Sequence, residues 1–193
     1  IKDPSFADNY YETIIGIYCT YNGQLGMYPV SMLLGGEGQE MATYLGRDNS
    51  SYAKKLGAEF VIRKTDDGKV TVGVNRRGAQ VLSVEMQLGQ YNHPLTHMLF
   101  QAPAQGKETA GSAFNFHFDR LPDENGVWRY TNTCLVSTLI KYKYDSWAPG
   151  FINKLEINST TDDPWGCLPV NTIIGGAYAE NNLLITNLQK LED

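Results

Sequence analysis

Asn22-Gly23 divides the run ETIIGIYCTYNGQLGMYPVSMLL, Glu12 to Leu34, into two apolar, β-branched halves. That dipeptide tolerates positive φ at both central positions, which a tight hairpin turn with the native strand twist requires. The segment therefore folds as two antiparallel strands. The same punctuation recurs in EFVIRKTDDGKVTVGVNRRGAQVLSVEMQLG, where Asp67-Gly68 and Arg77-Gly78 separate alternating segments and predict a three-stranded meander. SAFNFHFD, NTCLVSTLIKYKY and NTIIGGAYAENNLLI continue as strands between polar turns. So many half-apolar strands predict a mainly β (α+β) domain, a barrel-like antiparallel sheet with a few short helices, which leaves no long open edges. One helix is expected in GEGQEMATYLGR, where Met41, Tyr44 and Leu45 recur at helical spacing and Gly46 is suited to a left-handed C-terminal cap.

The chain has 193 residues, 42% of them hydrophobic, enough for one core, and no linker or repeat divides it. A single domain over 1–193 is expected. A net charge of -5 with scattered lysines and arginines argues against nucleic acid or an acidic membrane as partner. No apolar run is long enough to cross a bilayer as a helix, and the first residues lack the apolar core of a signal peptide. Cys19, Cys134 and Cys167, an odd and widely spaced set, suit buried thiols of a reducing compartment, so a cytoplasmic location is expected despite the sequons at Asn49 and Asn158.

Several motifs are outweighed by structural readings. His93 and His97 in HPLTH have a metal-ligand spacing, but Pro94 interrupts the segment and no third ligand is near in sequence, so no metal is expected. LLGGEGQE lacks the lysine and hydroxyl residue of a phosphate loop. His117 in FNFHFD lies in a strand whose phenylalanines are expected to face the core, and Asp162 and Asp163 read as a solvated turn before Pro164.

The adjacent lysines Lys54 and Lys55 are different, because small and apolar residues surround them. GRDNSSYAKKLG, Gly46 to Gly57, resembles the signature of the acetoacetate decarboxylase family: Gly-Arg-acidic, then an aromatic, then Lys-Lys-Leu-Gly. The resemblance extends back to YYE, Tyr10 to Glu12, similar to the family's Tyr-x-Glu, and forward more weakly through YDSWAPG and CLPV. Ala53 stands where the family usually has proline and Asp48 where it often has glutamate. The family's N-terminal portion, with an arginine and a further glutamate near the site, has no counterpart in the sequence.

The resemblance implies a β-rich, homo-oligomeric carbon-carbon lyase that needs neither metal nor organic cofactor. Lys54 would form a Schiff base with a β-keto acid such as acetoacetate, and the iminium would draw electrons as carbon dioxide leaves. Glu12 would orient substrate or transfer a proton, Tyr52 would line the pocket, and Arg47 and Lys55 would stand at its edge, mainly as ion-pair formers. Aldol condensation with dehydration through the same lysine, or a non-catalytic small-molecule-binding module, are the alternatives. The amine must be neutral near pH 7, although free lysine titrates near about 10.4. On an extended segment Lys54 and Lys55 point to opposite faces, so at ~8 Å and an effective dielectric of about 20 their repulsion is roughly 2 kcal/mol. Burial supplies up to about 3 to 5 units and is the expected main cause.

Overall fold

The structure, a computed structural model, describes residues 1–191. In chain order its elements are β1 (Tyr11–Tyr21), β2 (Gln24–Gly35), α1 (Gln39–Ser50), β3 (Lys54–Lys55), β4 (Ala58–Lys64), β5 (Lys69–Arg76), β6 (Ala79–Leu88), α2 (Thr96–Leu99), α3 (Gln101–Ala104), β7 (Glu108–Pro122), β8 (Trp128–Ile157) and β9 (Gly176–Leu191). Strands dominate and the helices are few and short, as the turn pattern predicts. The chain forms two compact units: Ile1–Leu56 with Ala110–Lys141 and the chain from Leu184 on, and Gly57–Thr109 with Tyr142–Leu183.

In the first unit the Asn22-Gly23 turn has φ of 48° and 78°, and it sets the register of β1 on β2 from Tyr21↔Gln24 to Tyr11↔Gly35. The other edge of β2 takes two parallel partners, β7 at Gly26↔Ser112 and Met27↔Ala113, and β3 at Met32↔Lys54 and Leu33↔Lys55. The sheet is therefore mixed, where antiparallel pairing alone was expected. For β3 the physical reason is the crossover through α1, which returns the chain to β2 in the same direction. Pairing follows the open path β1-β2-β7-β8 and does not close into the expected barrel.

The buried side of α1 is not its apolar one. Met41 and Tyr44 are exposed, while the inward residues are the small Ala42 and Thr43. Ala42 packs with Tyr10, Met32, Leu34, Tyr52, Ala113 and Ile140 into the core cluster of this unit. The helix also runs past Gly46 to Ser50, and the left-handed cap is Ser51, at φ 55°. On β7, Phe114 is buried, but Phe116 and Phe118 are exposed and do not face the core.

The second unit contains the predicted meander β4-β5-β6, antiparallel throughout, with Arg77-Gly78 at φ 52° and 78° in its second turn. β6 then pairs antiparallel with the later half of β8, from Leu82↔Ile157 to Leu88↔Gly150. Asp163 is not solvated: it is buried and pairs with Arg76 at 2.6 Å, whereas Asp162 is half-exposed and paired with Arg77. In the YDSWAPG segment Trp147 packs against Phe100 and Tyr144 and donates a hydrogen bond to the Tyr91 hydroxyl at 2.8 Å. His97 meets the Tyr91 ring edge-on at 4.9 Å, and His93 Nδ1 accepts from the Leu95 amide at 3.2 Å. The three thiols are free, and Cys167 is exposed where burial was expected. Among the described residues no helix is long and apolar enough to cross a membrane.

Candidate active site

Strand register brings Lys54 and Glu12 together. Glu12 stands opposite Leu34 on one side of β2, and Lys54 stands opposite Met32 on the other. Met32 and Leu34 are two residues apart, so all four side chains project from one face of the sheet. The lysine and glutamate chains reach towards each other across β2, and Nζ lies 2.9 Å from Glu12 Oε2. Both side chains are nearly enclosed, at 8% and 13% exposure. Oε2 accepts no hydrogen bond of good geometry among the described residues, so this contact is an ion pair first.

Gly46 makes room for the lysine. A Cβ at that position would lie 2.6, 2.7 and 3.0 Å from Lys54 Cε, Cδ and Nζ, so the lysine stem runs along the bare helix surface. Beyond the helix, Ser51 donates its amide to the Arg47 carbonyl and Tyr52 to that of Gly46, both at 3.1 Å. His117 Nδ1 and Ser51 Oγ share a hydrogen bond of 2.5 Å that ties this turn to β7. Met32 N then binds the Ala53 carbonyl at 3.1 Å, which fixes the approach of β3.

The ammonium lies over two aromatic rings, 5.7 Å from the centroid of Tyr10 and 5.8 Å from that of Tyr52. Burial pushes the Tyr10 hydroxyl far above its ordinary pKa, and the Glu12 charge adds to the effect. Burial also raises Tyr52, again with help from Glu12, against a smaller opposing effect of the neighbouring Thr138 hydroxyl. Tyr52 and Thr138 are close to each other, yet neither oxygen completes a hydrogen bond of normal geometry among the described residues. A phenol whose folded-state pKa is raised stabilises the protein fully below about pH 10, and this contribution is lost as pH rises through the folded value. In an alkaline titration part of the phenolate absorbance should therefore appear only with unfolding. Tyr10→Phe and Tyr52→Phe should each reduce that late fraction; a smooth titration that neither change alters would contradict the enclosure.

Of the residues singled out in the sequence, the structure brings Lys54, Glu12 and Tyr52 together. Lys55 alternates to the other face of β3, beside Leu33, and is half-buried. Arg47 is exposed on α1, with no ion pair among the described residues. Tyr10, Gly46 and Thr138 were not singled out as site residues; Tyr10 lies in the quoted YYE, but periodicity gives no signal for Thr138. Two open grooves of about 450 and 390 Å³ are lined by second-unit residues, among them Gln87 and Phe151 in one and His97 and Gln101 in the other. Neither has a lysine or a carboxylate in its lining, so the chemically equipped place is the enclosed Lys54–Glu12 pair.

The first unit is β-rich and holds a lysine of the Lys-Lys-Leu-Gly segment against a largely enclosed glutamate. Residues 1–193 match the acetoacetate decarboxylase family, and the chain belongs to it. It is 30% identical, over 98% of its own length and 68% of the relative's, to a protein of Lactiplantibacillus plantarum named CLA biosynthesis isomerase. Its fold is similar to that of acetoacetate decarboxylase from Legionella pneumophila, with a TM-score of 0.71 at 16% identity over 97% of this chain and 68% of the other. An acetoacetate decarboxylase-like enzyme from Sphingomonas wittichii RW1 gives 0.70 at 16% identity over 95% and 69%. The enduracididine biosynthesis enzyme MppR, in a complex with pyruvate, gives 0.63 at 13% over 95% and 67%. Family membership supports an enzyme, and its relatives differ in the reactions that their names describe.

Proposed function

We propose that the chain is a Schiff-base enzyme in which Lys54 condenses with the ketone of a keto acid and Glu12 exchanges protons with it. The observation that carries this reading is the enclosed 2.9 Å contact between Lys54 Nζ and Glu12 Oε2. Transfer of one ammonium proton to the carboxylate leaves a free amine, which attacks the ketone carbon, and loss of water gives the iminium. With a β-keto acid, the bond to the carboxylate then breaks. Its electron pair moves into the enamine, carbon dioxide leaves, and protonation of the enamine carbon followed by hydrolysis releases the ketone and restores Lys54. This is a carbon-carbon lyase reaction, as the sequence resemblance implies.

A second reaction starts from the same iminium. Removal of a proton from the carbon beside it, with return of a proton further along a conjugated chain, moves a double bond without loss of carbon. One observation favours this reading: the relative that is 30% identical is named an isomerase. The apolar Ile17, Tyr18 and Leu25, exposed on the β1-β2 hairpin, are consistent with the homo-oligomer implied by the resemblance.

Borohydride reduction in the presence of a panel of keto acids tests the shared step. Peptide mass mapping should place the label on Lys54. Label on Lys55, or none with any carbonyl compound, would favour the binding-module alternative. Released carbon dioxide or a shifted double bond in the product then separates the two reactions.

A further inference from the structure

We infer that Ser51 and His117 are positioning residues for the Lys54 amine: their hydrogen bond fixes the turn between α1 and β3, and through that turn it sets where the amine stands against Glu12. This rests on Lys54 being the imine-forming group. Only Ser51, Tyr52 and Ala53 separate the helix from Lys54, and β3 is held on β2 at two register positions. The backbone ties the turn at its start, where the Ser51 and Tyr52 amides donate to the Arg47 and Gly46 carbonyls, and at its end, where the Met32 amide donates to the Ala53 carbonyl. The Ser51 side chain adds a tie to a different element, the 2.5 Å hydrogen bond between its hydroxyl and His117 Nδ1.

His117 reaches Ser51 from a strand with its own place in the sheet. Ala113 and His117 are four residues apart on β7, so both leave the same face, and Ala113 packs in the cluster that contains Tyr52. β7 in turn pairs with β2 through Ser112 and Ala113. The contacts close a ring: β7 lies on β2, His117 holds Ser51, and Ala53 returns to Met32 of β2. Glu12 is carried on β1, which pairs with that same β2, so the amine and the carboxylate are placed in one frame. The residue type at position 51 agrees. Ser51 has φ 55°, a left-handed backbone that glycine adopts with less strain. Serine takes on that strain and contributes what glycine lacks, a hydroxyl that binds β7.

The test reads the initial rate of Lys54 labelling by butanone and borohydride, located by mass mapping, beside the melting temperature. Ser51→Ala keeps a side chain at positive φ and removes only the hydroxyl, and His117→Leu removes the ring nitrogen. Each should slow labelling about tenfold, less than the roughly hundredfold cost of displacing a reacting group by about 1 Å. Combined, they should slow it no further than the slower single change, because the same bond is lost in each case. His117→Asn, whose amide offers both a donor and an acceptor near the place of Nδ1, should restore most of the rate. Labelling at the wild-type rate in both single variants, or effects that multiply in the double variant, would overturn the inference. A loss of rate that follows the melting temperature and is not restored by His117→Asn would overturn it in favour of a bond that only supports the fold. No labelling of the wild type would overturn the Lys54 reading itself, and this inference with it.

Discussion

Lys54→Met is expected to abolish borohydride trapping and to destabilise the protein by about 3 to 5 kcal/mol, the usual cost of leaving one member of a buried ion pair without the other. Methionine fills much of the lysine stem's volume, so the cost falls on Glu12, a carboxylate at 13% exposure whose Oε2 has no hydrogen-bond donor among the described residues. The second change decides the cause. Lys54→Met combined with Glu12→Leu removes both charges, and replacing a buried pair by apolar groups is commonly neutral or stabilising. The double variant should therefore recover most of the stability and none of the trapping. Urea unfolding midpoints measure the first quantity and peptide mapping the second. A single variant as stable as the wild type would show that water reaches Glu12 freely, and the enclosed proton exchange proposed above would fail.

Gly46→Ala should reduce the rate of Lys54 trapping about hundredfold while leaving the fold intact, the helix's gain being offset by a lengthened Lys54–Glu12 contact. Alanine is preferred to glycine inside a helix by roughly 1 kcal/mol, and Gly46 lies within α1. The added methyl group meets no backbone among its nearest neighbours; it meets Lys54 Cε, Cδ and Nζ at 2.6 to 3.0 Å. A flexible side chain yields more easily than a helix, so the amine moves away from Glu12 and from the rings of Tyr10 and Tyr52. A displacement of about 1 Å at a reacting group is enough for a loss of that size. Melting temperature and labelling rate, measured together, separate this effect from misfolding. Unchanged labelling would mean that the lysine has another route to the same position.

Much of the fold is legible because turn chemistry is local. Asn22-Gly23 and Arg77-Gly78 sit where positive φ is needed, and alternation on either side defines the strands. The parallel placement of β3 and β7 on β2 is not local, and no period in the sequence records which distant segment pairs with Met32. The Lys54–Glu12 apposition depends on that pairing, so the residues were recognisable only through a family resemblance and their contact was not. Helix α1 misleads for a related reason. Met41 and Tyr44 have the spacing of a buried stripe, but the inward side must accommodate a lysine, and Ala42 and Gly46 leave the space. Thr138 looks like any strand threonine until Tyr52 is placed near it.

β3 is a strand of two residues, and both are lysine. Because side chains alternate along a strand, a slip of one residue against β2 would exchange inward and outward positions. In most strands such an error puts the wrong chemical group in the core. Here the group that turns inward after a slip is again a primary amine on a four-carbon chain, directed to the face where Glu12 waits. The doublet thus gives the shortest strand of the fold a tolerance of misalignment that its two pairing positions alone would not provide.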